Sequence, residues 1–116
     1  MSKRGGAAFR PPKTNEWCIR LATSEAAKGW NELSRQVPGQ VASLHDRLTY
    51  DPRHVDNPQR QGRLKGTIGT VTANGAAFDQ WQYEITGGGG VWHVADHDKH
   101  TVWITMASTG HPKATD

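Results

Sequence analysis

The chain has 116 residues, of which 34% are hydrophobic, and it carries a formal charge of +3, with a mean hydropathy of −0.74. That length makes one domain with a modest core, and the five tryptophans offset part of the low apolar content. No run approaches the roughly 18 apolar residues of a membrane span and the N-terminus carries no apolar signal core, so no membrane is implied and a cytoplasmic location is expected.

Lys3, Arg4, Arg10 and Lys13 all precede the first acidic residue, Glu16. Residues 1–15 are therefore expected to form a basic, flexible tail, suited to a polyanion or simply to solubility, ahead of a single domain over 16–113. Residues 16–22 have the β-rich composition of a first strand. Their one cysteine, Cys18, has no disulfide partner and fits a small buried position. Thr23 or Ser24 can cap a helix, with Glu25 in its first turn, where the helix dipole favours negative charge. Ala26, Trp30, Leu33 and Val37 recur on one helical stripe, and Pro38 both ends that helix near Gln36 and suits the start of another. Val41, Leu44 and Leu48 carry the second helix, which stops before Asp51-Pro52.

Residues 53–62 lack apolar periodicity and read as a loop. Residues 63–67 suggest a short strand or strand start, and Arg60, Arg63 and Lys65 form a second basic group. The segment 68–78, with Asn74-Gly75, is compatible with a hairpin or an irregular excursion. The stretch 81–112 then packs three alternating runs, at 81–85, 91–95 and 101–107, between a glycine turn and a polar turn. Connections this short require antiparallel order. Alternation predicts Trp81, Tyr83, Ile85, Val102, Ile104 and Met106 on the helix-bearing face. It also places Trp92 and Val94 toward the core, leaving His93 and His97 on the open face beside Trp103. The predicted class is α+β, with two N-terminal helices packed on a small curved antiparallel β-sheet.

With these elements in order, the sequence resembles the RelE/ParE superfamily of bacterial toxins, in particular actinobacterial members described as cytotoxic translational repressors. Carrying the resemblance are Ser24-Glu25-Ala26-Ala27-Lys28 opening the first helix, Leu48 to Pro52 closing the second, Arg63-Leu64-Lys65-Gly66, the glycine turn, and a last strand leading to Gly110-His111. The resemblance spans about residues 16–113 and rests on the ordered set rather than on any one motif. It implies the toxin of a type II toxin–antitoxin module, acting as a ribosome-dependent mRNA endonuclease. It further implies a cognate antitoxin, of helix-turn-helix type and encoded adjacent, with the ribosome and mRNA as the other partners. ParE-like relatives instead inhibit DNA gyrase.

Metal-free RNA cleavage needs a base near the 2′-hydroxyl, positive charge for the phosphorane and an acid for the leaving oxygen. Lys65 matches the lysine of the family's basic motif and suits a phosphate contact, or is a solvated strand-end lysine. His111 stands in the closing Gly-His pair with an unperturbed pKa near neutrality, and Lys113 follows with further charge. His93 can replace a missing cation. Arg63 and Arg60 suit RNA phosphates, and His97 and Trp103 suit its bases. Three positions depart from the family pattern. Trp92 stands where the family carries an arginine, Pro112 replaces a second, and Thr115 or Asp116 stands where a terminal tyrosine is usual. The non-enzymatic alternative is therefore a gyrase inhibitor or a degenerate toxin that only binds its antitoxin.

His93, His97 and His100, with Asp96 and Asp98, also invite a metal. On an extended strand His93 and His97 lie about 13 Å apart, too far for one ion unless the turn bends them together. No metal and no other cofactor is expected. The glycine run joins two strands and lacks a phosphate-loop pattern, so it reads as a turn.

Overall fold

The computed structural model describes residues 8, 10–53, 58–73 and 75–110; His111 and Lys113 lie outside them, as do residues 1–7 and 9 of the basic tail. Strand β1 (Cys18–Leu21) leads into helices α1 (Ser24–Gln36) and α2 (Pro38–Tyr50). Thr23 caps α1 by accepting the Ala26 N–H at 3.0 Å, and Glu25 occupies the first turn. The Val37 N–H closes α1 on the Leu33 carbonyl, and Pro38 fills the first turn of α2, where its missing N–H costs nothing. Both helices thus lie where periodicity and capping place them.

Of the expected loop 53–62, residues 54–57 lie outside the described residues. Residues 58–60 turn, and β2 (Gln61–Arg63) has already begun. A 3-10 turn at Gly66–Ile68 follows. The segment left open by the sequence is a hairpin, β3 (Thr70–Ala73) and β4 (Ala76–Asp79), with Ala73 facing Ala76. Gly75 in its connection holds φ at 80°, a left-handed value that favours glycine. Strands β5 (Trp81–Glu84), β6 (Gly90–Asp96) and β7 (Thr101–Ser108) complete the expected meander.

The five-stranded sheet runs β1-β7-β6-β5-β2 and the hairpin forms a separate two-stranded sheet. Along β2, β5, β6 and β7 each strand runs antiparallel to its neighbour. β1 instead joins β7 in parallel, Cys18 opposite Thr101 and Leu21 opposite Ile104, so the sheet is mixed rather than wholly antiparallel. Short connections fix direction only between neighbours in sequence, and β1 meets its partner from the other end of the chain, after the helices. Cys18 is half-buried.

The helices bury one face of the sheet. Leu33, Val91, Val102 and Ile104 are fully buried there, with Ala26, Val41, Leu44 and Leu48 beside them. Helix α1 lies unusually close to β7 because it crosses at Gly29, where an added Cβ would come within 1.8 Å of the Ala107 carbonyl oxygen.

Two face assignments differ from simple alternation. Tyr83 pairs with Val91 and Gln82 with Trp92, so the helix side of β6 is Val91, His93 and Ala95, while Trp92 and Val94 face the open side. On β7 a bulge leaves Thr105 without a cross-strand partner between the Trp92–Met106 and His93–Ile104 pairs. Met106 is thereby turned to the open side and Ala107 takes the core position. Sequence alternation carries no trace of an extra residue, and the bulkier side chains of β6 are not the ones beneath the helices.

Arg10 forms a two-pronged ion pair with the buried carboxylate of Glu16, which also accepts the Lys13 N–H at 2.7 Å. The Arg10 hydrogen bond and the Lys13 N–H hold the Glu16 pKa down at about 2. Among the described residues, no helix is long and apolar enough to cross a membrane.

Candidate nucleic-acid interface

Three surfaces around β2 and β5–β7 hold the candidate residues other than His93, His111 and Lys113. The first is a cleft of about 670 Å³ between the β3–β4 hairpin and the open face of the sheet. Val71 and Phe78 from the hairpin and Val94 and Trp103 from the sheet give it apolar walls. Gln80 holds the hairpin base: it is buried, its side-chain amide donates to the Ile68 carbonyl at 2.8 Å, and its oxygen accepts from Thr105 in the bulge. His97 and Trp103 both line this cleft, so that expected pair is brought together.

The charge of the cleft is not that of a phosphate site. Arg53 and Lys99 line it, but so do Asp79, Asp96 and Asp98. His97 also has a packing role, its ring meeting Trp17 edge-on at 5.0 Å, while His100 stacks on the same indole at 4.2 Å. That stacking accompanies a left-handed His100, φ 50°, in the β6–β7 turn.

His93 is not on the open face. It is 4% exposed, beneath the helix side of the sheet. Its Nε2 approaches the Pro52 carbonyl at 3.4 Å, and its Nδ1 is buried without a partner among the described residues. Burial drives its pKa down to about 4. A neutral imidazole with a donating Nε2 satisfies this geometry, so near pH 7 His93 supplies no positive charge and cannot replace an arginine. His93 is thus separated from His97 and His100, which share the Trp17 indole. Among the described residues, no group of three His, Cys, Asp or Glu side chains is placed to hold a metal ion.

The second surface is the edge strand β2 and its flanks. Arg63 is exposed and ion-paired with Asp79 at 2.7 Å, and Lys65 is exposed just before the 3-10 turn. Arg60 precedes the strand. Together they give the sheet a basic border.

The third surface, missed in the sequence, is a groove of about 400 Å³ on the helix side, between α2 and β5. Gln40 and Ser43 from α2 face Arg60 and Tyr83 across it. The Arg60 guanidinium is steadied by a 3.2 Å hydrogen bond to the Ile85 carbonyl. Arg47 lies 5.4 Å over the Tyr83 ring and donates to Gln61 at 3.0 Å. Tyr83 reads as core because its ring packs there. The available signal is that a tyrosine so placed has a hydroxyl to satisfy, which draws it to a wet margin.

No protein-family model matches the sequence, and no curated protein matches it. Among solved structures the fold is similar to a chain in the crystal structure of the archaeal RelE-RelB complex from Pyrococcus horikoshii OT3. The TM-score is 0.54 at 15% identity, covering 79% of this chain and 92% of that one. The chain has a RelE-like α+β fold.

Proposed function

We propose that this chain is a RelE-like toxin of a type II toxin–antitoxin module, a cytoplasmic endoribonuclease that cuts ribosome-bound mRNA and is held in check by an antitoxin encoded beside it. The observation that carries this is the RelE-like fold, which runs through nearly the whole of a chain crystallised as a RelE-RelB complex. The exposed basic border at Arg60, Arg63 and Lys65 supports an RNA substrate, since phosphates draw most of their binding energy from such charge. In this scheme Arg63 and Arg60 hold the backbone and Lys65 stabilises charge on the scissile phosphate. Trp103 and His97 receive a base in the cleft. His111 and Lys113 supply the proton transfer and further charge. His93 takes no direct part, because it is buried and neutral.

A non-nuclease toxin of gyrase-inhibiting or antitoxin-binding type is favoured by one observation. Trp92, at the family's arginine position, pairs with Gln82 and Met106 on the open side, so that surface lacks the cation there. Inducible expression of the chain in a bacterial host, alone and with the protein encoded by the neighbouring reading frame, tests the toxin assignment. Growth arrest relieved by co-expression is expected. Unimpaired growth at high expression, or arrest indifferent to the neighbour, would contradict it.

A further inference from the structure

We propose that the groove between α2 and β5 is a phosphodiester-binding site, through which single-stranded RNA engages the protein. This rests on the reading that the chain acts on RNA, and it commits the backbone contact to the helix side of the sheet rather than to the larger cleft.

Charge separates the two concavities. The cleft beneath the hairpin collects three carboxylates, Asp79, Asp96 and Asp98, against Arg53 and Lys99. Among the described residues, the groove has no carboxylate in its lining, and the first turn of α2 beside it carries no acidic residue. A phosphate entering the cleft meets no net attraction, since Asp96 and Asp98 offset Arg53 and Lys99 and Asp79 is paired with Arg63, whereas one entering the groove meets Arg60. Field lines concentrate in such a concavity, so the sign of its lining decides which ions it gathers.

The donor set also fits. Arg60 has five N–H groups in a planar fork, one of them committed to the Ile85 carbonyl, and this anchor fixes the guanidinium at the groove. Tyr83, Ser43 and Gln40 add two hydroxyls and an amide, neutral groups able to donate to phosphate oxygens. Arg47 holds the Tyr83 ring from above and lends it positive potential without lining the groove. The groove opens where Arg60 leads into β2, so a strand bound there continues along the basic border toward Arg63 and Lys65.

Binding of a fluorescein-labelled single-stranded RNA oligonucleotide to the full chain, followed by fluorescence anisotropy over a salt series, tests the site. Ser43→Asp, on an exposed helix position, should weaken binding tenfold or more and Arg60→Glu at least as much. Each should flatten the slope of log affinity against log salt by about 0.7 for every phosphate no longer neutralised. Tyr83→Phe keeps the ring and its packing and should weaken binding severalfold. Arg35→Glu makes the same charge change as Arg60→Glu on an exposed position of α1 and should change affinity less than twofold. Wild-type affinity in Ser43→Asp overturns the site, as does equal weakening in Arg35→Glu. A wild-type chain that binds no RNA also overturns it, while growth arrest relieved by the neighbouring protein would still stand as evidence for a toxin.

Discussion

The two faces of the central sheet are built on different principles. On the helix face, packing is close and over-determined: Leu33, Val91, Val102 and Ile104 are sealed, and α1 touches the β7 backbone at Gly29. On the open face, among the described residues, one hairpin covers part of the sheet, its Phe78 only half-buried, and a large cleft stays between the layers. The difference shows where stability is held: packing is tightest under α1, while ligand-sized openings lie on the open face and at the α2–β5 margin. A face sealed at backbone distance cannot be remodelled, whereas a hairpin resting on Val94 and Trp103 leaves room.

The sharpest way to break this contrast is at Gly29. Alanine there gains about 1 kcal/mol of helix propensity, but its methyl would stand 1.8 Å from a backbone oxygen that has nowhere to go. The steric cost should win. Gly29→Ala is expected to lose about 3 kcal/mol, lowering the melting temperature by roughly 10 °C in thermal denaturation. A melting temperature at or above wild type would mean that α1 does not seal the sheet as described.

His93 marks the same face by pH. Its folded pKa of about 4 lies below the ordinary 6.5, so the unfolded chain binds the extra proton first as pH falls. The stability it confers is complete above pH 6.5 and is lost as pH drops through 4. At about 1.4 kcal/mol per unit the loss over that window is on the order of 3 kcal/mol. Urea unfolding across the window should show the decline in wild type, and its absence in His93→Leu. The Glu16 carboxylate, held near 2 by Arg10, acts in a lower window, between 4.5 and 2, with stability again lost as pH falls.

The smallest effect belongs to the open face. Phe78→Ala removes half-buried surface from the hairpin and should cost about 1 kcal/mol, well below Gly29→Ala, because the cleft beside the ring leaves it only partly packed. A cost equal to that of Gly29→Ala would put the two faces on the same footing.

Much of this fold could be read from the chain because its signals are local. Thr23, Glu25, Pro38 and the stripes through Leu33 and Leu44 set both helices, and the meander followed from alternation and two turns. What stayed hidden was set at a distance. The parallel seating of β1 depends on a partner at the other end of the chain. The extra residue Thr105 reverses the later part of β7, and no periodicity reveals which strand carries a bulge. Size misled at β6, where the small residues Val91 and Ala95 with His93, not Trp92, lie beneath the helices. The candidate site divides in the same way. The basic border at Arg60, Arg63 and Lys65 is visible as a run in sequence, and His97 and Trp103 line one cleft. The groove is assembled from α2, β5 and the approach to β2, so Ser43 and Tyr83 become neighbours only in the folded chain.

The proposed use of the basic border in RNA cleavage, rather than gyrase inhibition, can be checked by primer extension on a translated messenger after induction. Wild type should produce discrete cuts within the open reading frame, and His111→Ala and Lys65→Ala should each reduce them tenfold or more while melting like wild type. An uncut messenger accompanied by supercoiling defects in plasmid DNA would contradict the claim.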